Sequence, residues 1–260
     1  MKRNQFKLDR AKELLNQALR IQLSTQGQYN PDTIETQMEI AKVDLDLELF
    51  DEALKGFENV LRTQKEIFGN EHPDIALTLH FLGICFSHSD DEKSLPSFER
   101  CFRIQRKFFK VESPVVASTM DQIGQAFLKK GKYEKASRAF QDALRIYREV
   151  GEHYYGVAFA QYSMGRLYFL KNRYIESLRC FKESMSIAVR TFGLKHPFIA
   201  DIHVAVGNLN TSKCHFEEAM KEFKLALEIY NKCEIPEKYS KVVECQKSIA
   251  RVKHEEVLCV

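Results

Sequence analysis

The amino-acid sequence predicts an all-α solenoid of about six helical hairpins, and three observations carry that expectation. A small residue recurs at Ala11, Ala53, Ser94, Ala136, Ser177 and Ala219, each 41 or 42 residues after the last. Four residues after each stands a large apolar one: Leu15, Phe57, Phe98, Phe140, Phe181 and Phe223. A second small position, at Ala41, Gly83, Gly124, Gly165 and Gly207, precedes the next member of the first series by 11 or 12 residues. A fixed period of this length is the mark of a repeat architecture. No unit of such a fold can bury its apolar face alone, so stability comes from stacking on neighbours, and the long surface this creates serves binding.

The elements follow in order. Residues 8–22 match only the second helix of a unit, with Ala11, Leu15, Ala18, Leu19 and Ile21 in register. This half unit leaves an apolar face uncovered, and a packing partner is expected there. Full units are expected at about 34–67, 76–109, 117–150, 158–191 and 200–232, and a charged amphipathic helix over 237–256, with Tyr239, Val242, Val243 and Ile249 on one face, is expected to cap the last one. The repeat runs through almost all of 1–260, so one domain is expected. The third full unit shows the logic best. Met120, Ile123, Ala126 and Phe127, then Ala136, Phe140, Ala143, Leu144 and Ile146, fall at helical spacings of three and four. Between these two helices lies Lys129-Lys130-Gly131-Lys132-Tyr133, where Gly131 can take the left-handed conformation that ends a helix. Gly124 and Ala136 mark a close approach of two backbones, and Phe140 fills the space beside them.

Composition bounds the function. Hydrophobic residues make up 44% and charged residues 29% of the chain, a balance suited to a folded helical protein rather than a disordered one. The net charge of +3 is spread over interleaved acidic and basic positions, without the basic patch of a nucleic-acid binder. The apolar stretches are short and broken by charge, and Met1-Lys2-Arg3-Asn4-Gln5 leads into no apolar run, so neither membrane insertion nor a secretory leader is expected. The seven cysteines show no Cys-x-x-Cys spacing. Cys101 stands where Val60, Ala143 and Ala226 stand, so these thiols read as small core residues in a reducing, cytoplasmic setting.

Two units carry a more specific pattern. Ile123-Gly124, Phe127, Ala136, Phe140, Ala143 and Met164-Gly165, Tyr168, Ser177, Phe181, Ser184 resemble the tetratricopeptide repeat, whose ordinary length is 34 residues. The extra residues here lie in Phe68-Gly69-Asn70-Glu71-His72-Pro73-Asp74-Ile75-Ala76 and Phe192-Gly193-Leu194-Lys195-His196-Pro197-Phe198-Ile199-Ala200. This connection is similar to that of the kinesin-light-chain-like class of long, 42-residue tetratricopeptide repeats. The resemblance implies a right-handed superhelix. Some positions depart from the pattern. Asp44 and Asn210 stand where Phe86, Phe127 and Tyr168 supply an aromatic ring. His153-Tyr154-Tyr155-Gly156 replaces the His-Pro connection. The turn at Ser89-Asp90-Asp91-Glu92 is one residue short, and Pro96 lies early in a second helix, where a missing N–H is tolerated.

Chemistry-bearing motifs are few. His72 and His196 recur before proline at the same place in two units, which points to a structural role. His80, His88 and His203 lack zinc-site spacing, and neither a phosphate-binding loop nor a nucleophile elbow occurs. The chain is therefore expected to be non-catalytic, with no cofactor and no metal.

By the resemblance, the first helix of each hairpin lines a concave groove with the positions three before, one after and four after the small residue. These are Met38, Lys42 and Leu45; His80, Ile84 and Ser87; Asp121, Gln125 and Leu128; Tyr162, Arg166 and Phe169; and Val204, Asn208 and Thr211. Lys42, Arg166, Gln125 and Asn208 can bind a peptide backbone or a carboxylate. The resemblance implies an adaptor or scaffold whose groove takes an extended, aromatic and acidic peptide segment. The alternative is a peptide-sensing regulator of a signalling enzyme. Lys42 and Asn208 lie four units apart, unlike the adjacent residues of a chaperone-docking carboxylate clamp.

Overall fold

A computed structural model describes residues 3–89, 92–151, 154–237 and 239–258, with side chains over 7–254 of these. They form α1 (Arg3–Thr25), α2 (Pro31–Asp46), α3 (Phe50–Phe68), α4 (Pro73–His88), α5 (Ser94–Phe108), α6 (Pro114–Lys129), α7 (Tyr133–Val150), α8 (Tyr155–Leu170), α9 (Tyr174–Phe192), α10 (Pro197–Ser212), α11 (Phe216–Lys232) and α12 (Ser240–Leu258). No strand occurs among the described residues. Asp90 and Asp91 of the shortened turn, His153, and Lys238 at the start of the expected capping segment lie outside them, as do Met1, Lys2, Cys259 and Val260.

The helices begin where the sequence supplies both a cap and a rigid first residue. Asn30, His72, Ser113 and His196 each precede proline and each accept a hydrogen bond from the backbone N–H two residues on. Proline at the first helical position gives up an N–H that would have no intrahelical partner. The two histidines do more than cap. The ring of His72 stacks on Phe68 and that of His196 on Phe192, both at 4.2 Å between centroids and 15° between planes. Gly69 and Gly193, with φ of 77° and 75°, turn the chain between the paired rings. The repeated Phe-Gly-x-x-His-Pro segment is thus one folded device used twice.

By backbone proximity the chain divides into two compact units, Gln5–Lys132 and Tyr133–Val260. In the first unit α2 packs on α3, α3 on α4, α4 on α5 and α5 on α6. Its core includes Ile34, Met38, Ala41, Ala53, Phe57, Val60, Ile75, Leu79, Leu82 and Ile104. In the second unit each helix from α7 to α12 packs on the next, and α10 also touches α8 and α12. Its last hairpin buries Ala219, Phe223, Ala226 and Tyr230 against Val242, Cys245 and Val252 of α12. Gly124 lies in the first unit, and Phe140, fully buried, in the second.

In three hairpins the glycine of the second small series meets the repeated phenylalanine. A Cβ on Gly83, Gly165 or Gly207 would lie 2.5, 2.5 or 2.6 Å from a ring carbon of Phe98, Phe181 or Phe223. Where the partner position is serine, its hydroxyl is satisfied: Ser94 donates to the Gly83 carbonyl at 3.1 Å and Ser177 to that of Gly165 at 2.8 Å. A buried hydroxyl without a partner would cost more than its contacts return.

The departures from the repeat also have local causes. Asp44 is 5% exposed and pairs with the Lys12 ammonium of α1, so an ion pair stands in for the missing ring and ties the half unit to α2. Gly156, in the connection without His-Pro, carries the ring of Tyr147, and a Cβ there would lie 2.4 Å from it. Pro96 falls in the first turn of α5. Nothing in the structure explains Asn210.

Candidate functional site

A helix turns about 100° per residue, and this sets which side chains can leave the core. Relative to the small residue, the position one after lies about 100° round the helix, the position three before about 60°, and the position four after about 40°. The burial follows that order only in part, since Leu45, His80, Ser87, Tyr162, Phe169 and Val204 are half-buried at the same offsets as the buried residues. Lys42, Ile84, Gln125, Arg166 and Asn208, all one after the small residue, are half-buried. Met38, Asp121, Leu128 and Thr211 are buried, at 6%, 6%, 5% and 4% exposure. These four side chains are therefore covered rather than open to a groove. Thr211 shows this directly, donating its hydroxyl back to the Gly207 carbonyl at 2.9 Å. Leu45 packs against the first unit's core.

In the first unit, the expected residues are committed to one another and to nearby backbone. The Lys42 ammonium binds Glu39 at 2.7 Å and lies 5.4 Å from the Phe81 ring centroid. His80 meets the Thr119 hydroxyl through Nδ1 at 3.4 Å and stands edge-on to Phe98. Burial pushes its imidazole down to about 4. Gln125 donates to Asp121 at 2.9 Å, Ser87 donates to the Ile84 carbonyl, and the Lys129 ammonium donates to the Ser87 carbonyl.

The second unit differs. Tyr162, Arg166 and Phe169 of α8 and Val204 and Asn208 of α10 come together around a cleft of about 340 Å³. Phe181 and Tyr230 reach its floor, and Leu170, Asp201, Ala205, Lys241 and Glu244 complete the wall. Tyr162 leans on Phe198 and Phe181, with ring centroids at 5.4 and 5.8 Å, and Arg166 lies 5.9 Å from its ring. Tyr230 donates its hydroxyl to Asp201 Oδ1 at 2.6 Å, while Lys241 pairs with the other oxygen of the same carboxylate. Burial pushes both tyrosine hydroxyls well above their ordinary range, and for Tyr230 the Asp201 carboxylate adds to the effect. Both are therefore neutral hydrogen-bonding groups here rather than acids.

A second recess of about 370 Å³ in the same unit is bounded by Phe169, Asn208, Ser212, Glu244, Lys247, Ser248 and Arg251. Reading α12 from sequence as a polar cap overlooks its residues here. Lys241, Glu244, Lys247 and Arg251 recur at spacings of three and four, one face of a helix, and that periodicity is the available signal. Asp201 and Ser212, six before and five after Gly207, lie about 120° and 140° round α10 and share the accessible stripe with Asn208. Among the described residues, no group of three or more His, Cys, Asp or Glu side chains is arranged to hold a metal ion. No described helix is long and apolar enough to cross a membrane.

Comparison with known proteins bears on this arrangement. A family model described as tetratricopeptide repeat matches residues 32–107, 88–149 and 156–232. No curated protein sequence matches the chain. Among solved structures, BtubC (BKLC) from P. vanneervenii aligns with a TM-score of 0.64 at 17% identity, covering 89% of this chain and 92% of that one. A Podosopora anserina protein described as a kinesin light chain with nearly identical TPR-like repeats aligns with a TM-score of 0.59 at 17% identity, covering 79% and 98%. At these identities the likeness is one of fold.

Proposed function

This chain belongs to the tetratricopeptide repeat family, and we propose that it acts as a non-catalytic adaptor holding an extended peptide segment of a partner protein in the cleft between α8, α10 and α12. One observation carries the reading: an apolar floor of Tyr162, Phe169, Phe181 and Val204 beneath a rim that includes Arg166, Asn208 and Lys241. A concave site with apolar walls and a few fixed polar groups is the usual form of a recognition pocket. The cleft has room for one aromatic or branched side chain. The rim can hydrogen-bond the backbone of an extended strand, whose alternate side chains point the same way. Arg166, Lys241, Lys247 and Arg251 outnumber Asp201 and Glu244 around the two recesses, which favours acidic residues beside the anchor. The reading includes a reducing, cytoplasmic setting, supported by Cys85, Cys101, Cys180 and Cys245 standing as buried thiols.

Selection of a random peptide library on the full chain tests this. The enriched peptides should share an aromatic or aliphatic residue next to Asp or Glu. Val204→Arg, which sets a charged side chain on the cleft floor, should weaken them about tenfold or more, roughly 1.4 kcal/mol, with a native far-UV circular dichroism spectrum confirming that the chain is folded under the assay conditions. Equal binding to the Val204→Arg chain would overturn the assignment.

A further inference from the structure

The connection between α5 and α6 departs from the two that carry His-Pro. In the repeat register Phe109 stands where Phe68 and Phe192 stand, and Ser113 where His72 and His196 stand. Ser113 still caps the next helix, accepting from the Val115 N–H, but it brings no ring to cover the phenylalanine. Lys110 takes the place of the turning Gly69 and Gly193, and a further phenylalanine, Phe108, precedes Phe109. The result is two adjacent phenylalanines, 50% and 37% exposed. Neither has a ring partner among the described residues, whereas Phe68 and Phe192 each stack on a histidine. Val115, just beyond the connection, is 47% exposed.

Cations flank this pair. Lys107 is bonded to Glu71 of the α3–α4 connection, and Arg100 donates to Asn70 there at 3.5 Å, which holds the end of α5 beside that turn. The Lys107 ammonium keeps the Glu71 carboxyl below its ordinary range, and Arg103 and Arg100 add to the effect. With Lys107 committed to Glu71, Arg103, Arg106 and Lys110 stand against Glu112, the carboxylate of the connection itself. Cations in a last helical turn complement the helix dipole, which accounts for Arg106 and Lys107 but not for the bare rings beside them. Exposed apolar side chains flanked by basic ones suit the boundary between lipid headgroups and acyl chains. Rings enter it without needing a shaped pocket, while long cationic side chains reach the anionic headgroups. We propose that this edge of the first unit docks on an anionic membrane surface, through shallow entry of Phe108 and Phe109 and pairing of Arg103, Arg106 and Lys110 with headgroups. This is contact with a surface, not the crossing of one, and it is independent of the peptide cleft in the second unit.

The test sediments the full chain with sucrose-loaded vesicles of phosphatidylcholine, made with or without about one-third phosphatidylserine. The mixed vesicles should bind it about tenfold more strongly than phosphatidylcholine alone, and high salt should remove most of that advantage. Phe108→Ser with Phe109→Ser leaves every charge in place and should weaken binding to the mixed vesicles about tenfold. Both side chains are exposed, and a native far-UV circular dichroism spectrum verifies the fold. The chain has no tryptophan, so Phe108→Trp supplies a single reporter, whose emission should shift to the blue when mixed vesicles are added. Binding that survives the double serine change would overturn the proposal, since the attraction would then be a general effect of net charge. Binding without a blue shift would refute entry of the rings. Absence of vesicle binding, with the phenylalanine pair needed instead to retain polyglutamate, would refute the membrane and give this edge to an acidic protein.

Discussion

Replacing Gly165 with alanine should destabilise the second unit, although the same change in an exposed helix would stabilise it. Alanine in a helix interior is favoured over glycine by about 1 kcal/mol. At Gly165 the added Cβ would lie 2.5 Å from Cε1, 2.6 Å from Cδ1 and 3.1 Å from Cζ of Phe181. Comfortable carbon contacts lie at about 3.5–4.0 Å, so the ring must retreat by about 1 Å. Phe181 is 1% exposed and borders the cleft of the second unit, so its ring retreats only by pressing on buried neighbours or intruding on that cleft. Overpacking of this kind costs about 1–3 kcal/mol. With the ring displaced this far, the upper part of that range applies, and the net loss is about 1–2 kcal/mol after the helix-propensity gain. Urea unfolding followed by far-UV circular dichroism measures it. Phe181→Leu in the same chain removes the clashing ring edge, so the double variant should be more stable than the sum of the two single changes by about 1 kcal/mol. A Gly165→Ala chain with a raised urea midpoint would refute the close-approach argument for the whole series, since Gly83 with Phe98 and Gly207 with Phe223 share the geometry.

Further tests reach other links of the structure. Burial holds the His80 imidazole near 4 against an ordinary value of 6.5, so the unfolded chain binds its proton first; stability should be full above about pH 6.5 and fall by roughly 2 kcal/mol at pH 5. His80→Gln should flatten that part of a stability-against-pH curve. Lys12→Ala strands the buried Asp44 carboxylate and should cost about 1–3 kcal/mol, whereas Lys12→Met with Asp44→Phe, which restores the repeat's aromatic, should recover most of it in thermal melts. His196→Ala removes both the α10 cap and the stack on Phe192, a loss of about 1–2 kcal/mol. His196→Asn keeps the cap and should lose only the stack, and amide exchange in the first turn of α10 separates the two.

The groove positions show where register arguments stop. Counting from the small residue located Lys42, Ile84, Gln125, Arg166 and Asn208 on the accessible side, because a residue about 100° from a buried one clears the core. At offsets of about 40–60°, Met38, Asp121, Leu128 and Thr211 are buried, while Tyr162, Phe169 and Val204 line the cleft. Exposure along a helix depends on how wide the neighbour is, and spacing alone does not carry that width. The turns give a parallel case. Gly131 takes the left-handed conformation its identity suggests, with φ of 67°, but Glu48, Asn172 and Cys214 adopt it as well, held there by the helices on either side.

The period of 41 to 42 residues determined the helices, their hairpin order and the buried phenylalanine series, because burial against a like neighbour imposes the same small and large residues at the same places in every unit. It determined equally that His72 and His196 serve the connections. Only the tertiary structure decided that α12 lends Lys241 to the wall of the cleft and Lys247 and Arg251 to that of the neighbouring recess, and that Lys12 answers the buried Asp44. Both depend on which side chains meet across distant stretches of chain. Repetition records the contacts every unit must make, and a contact made once leaves no periodic trace.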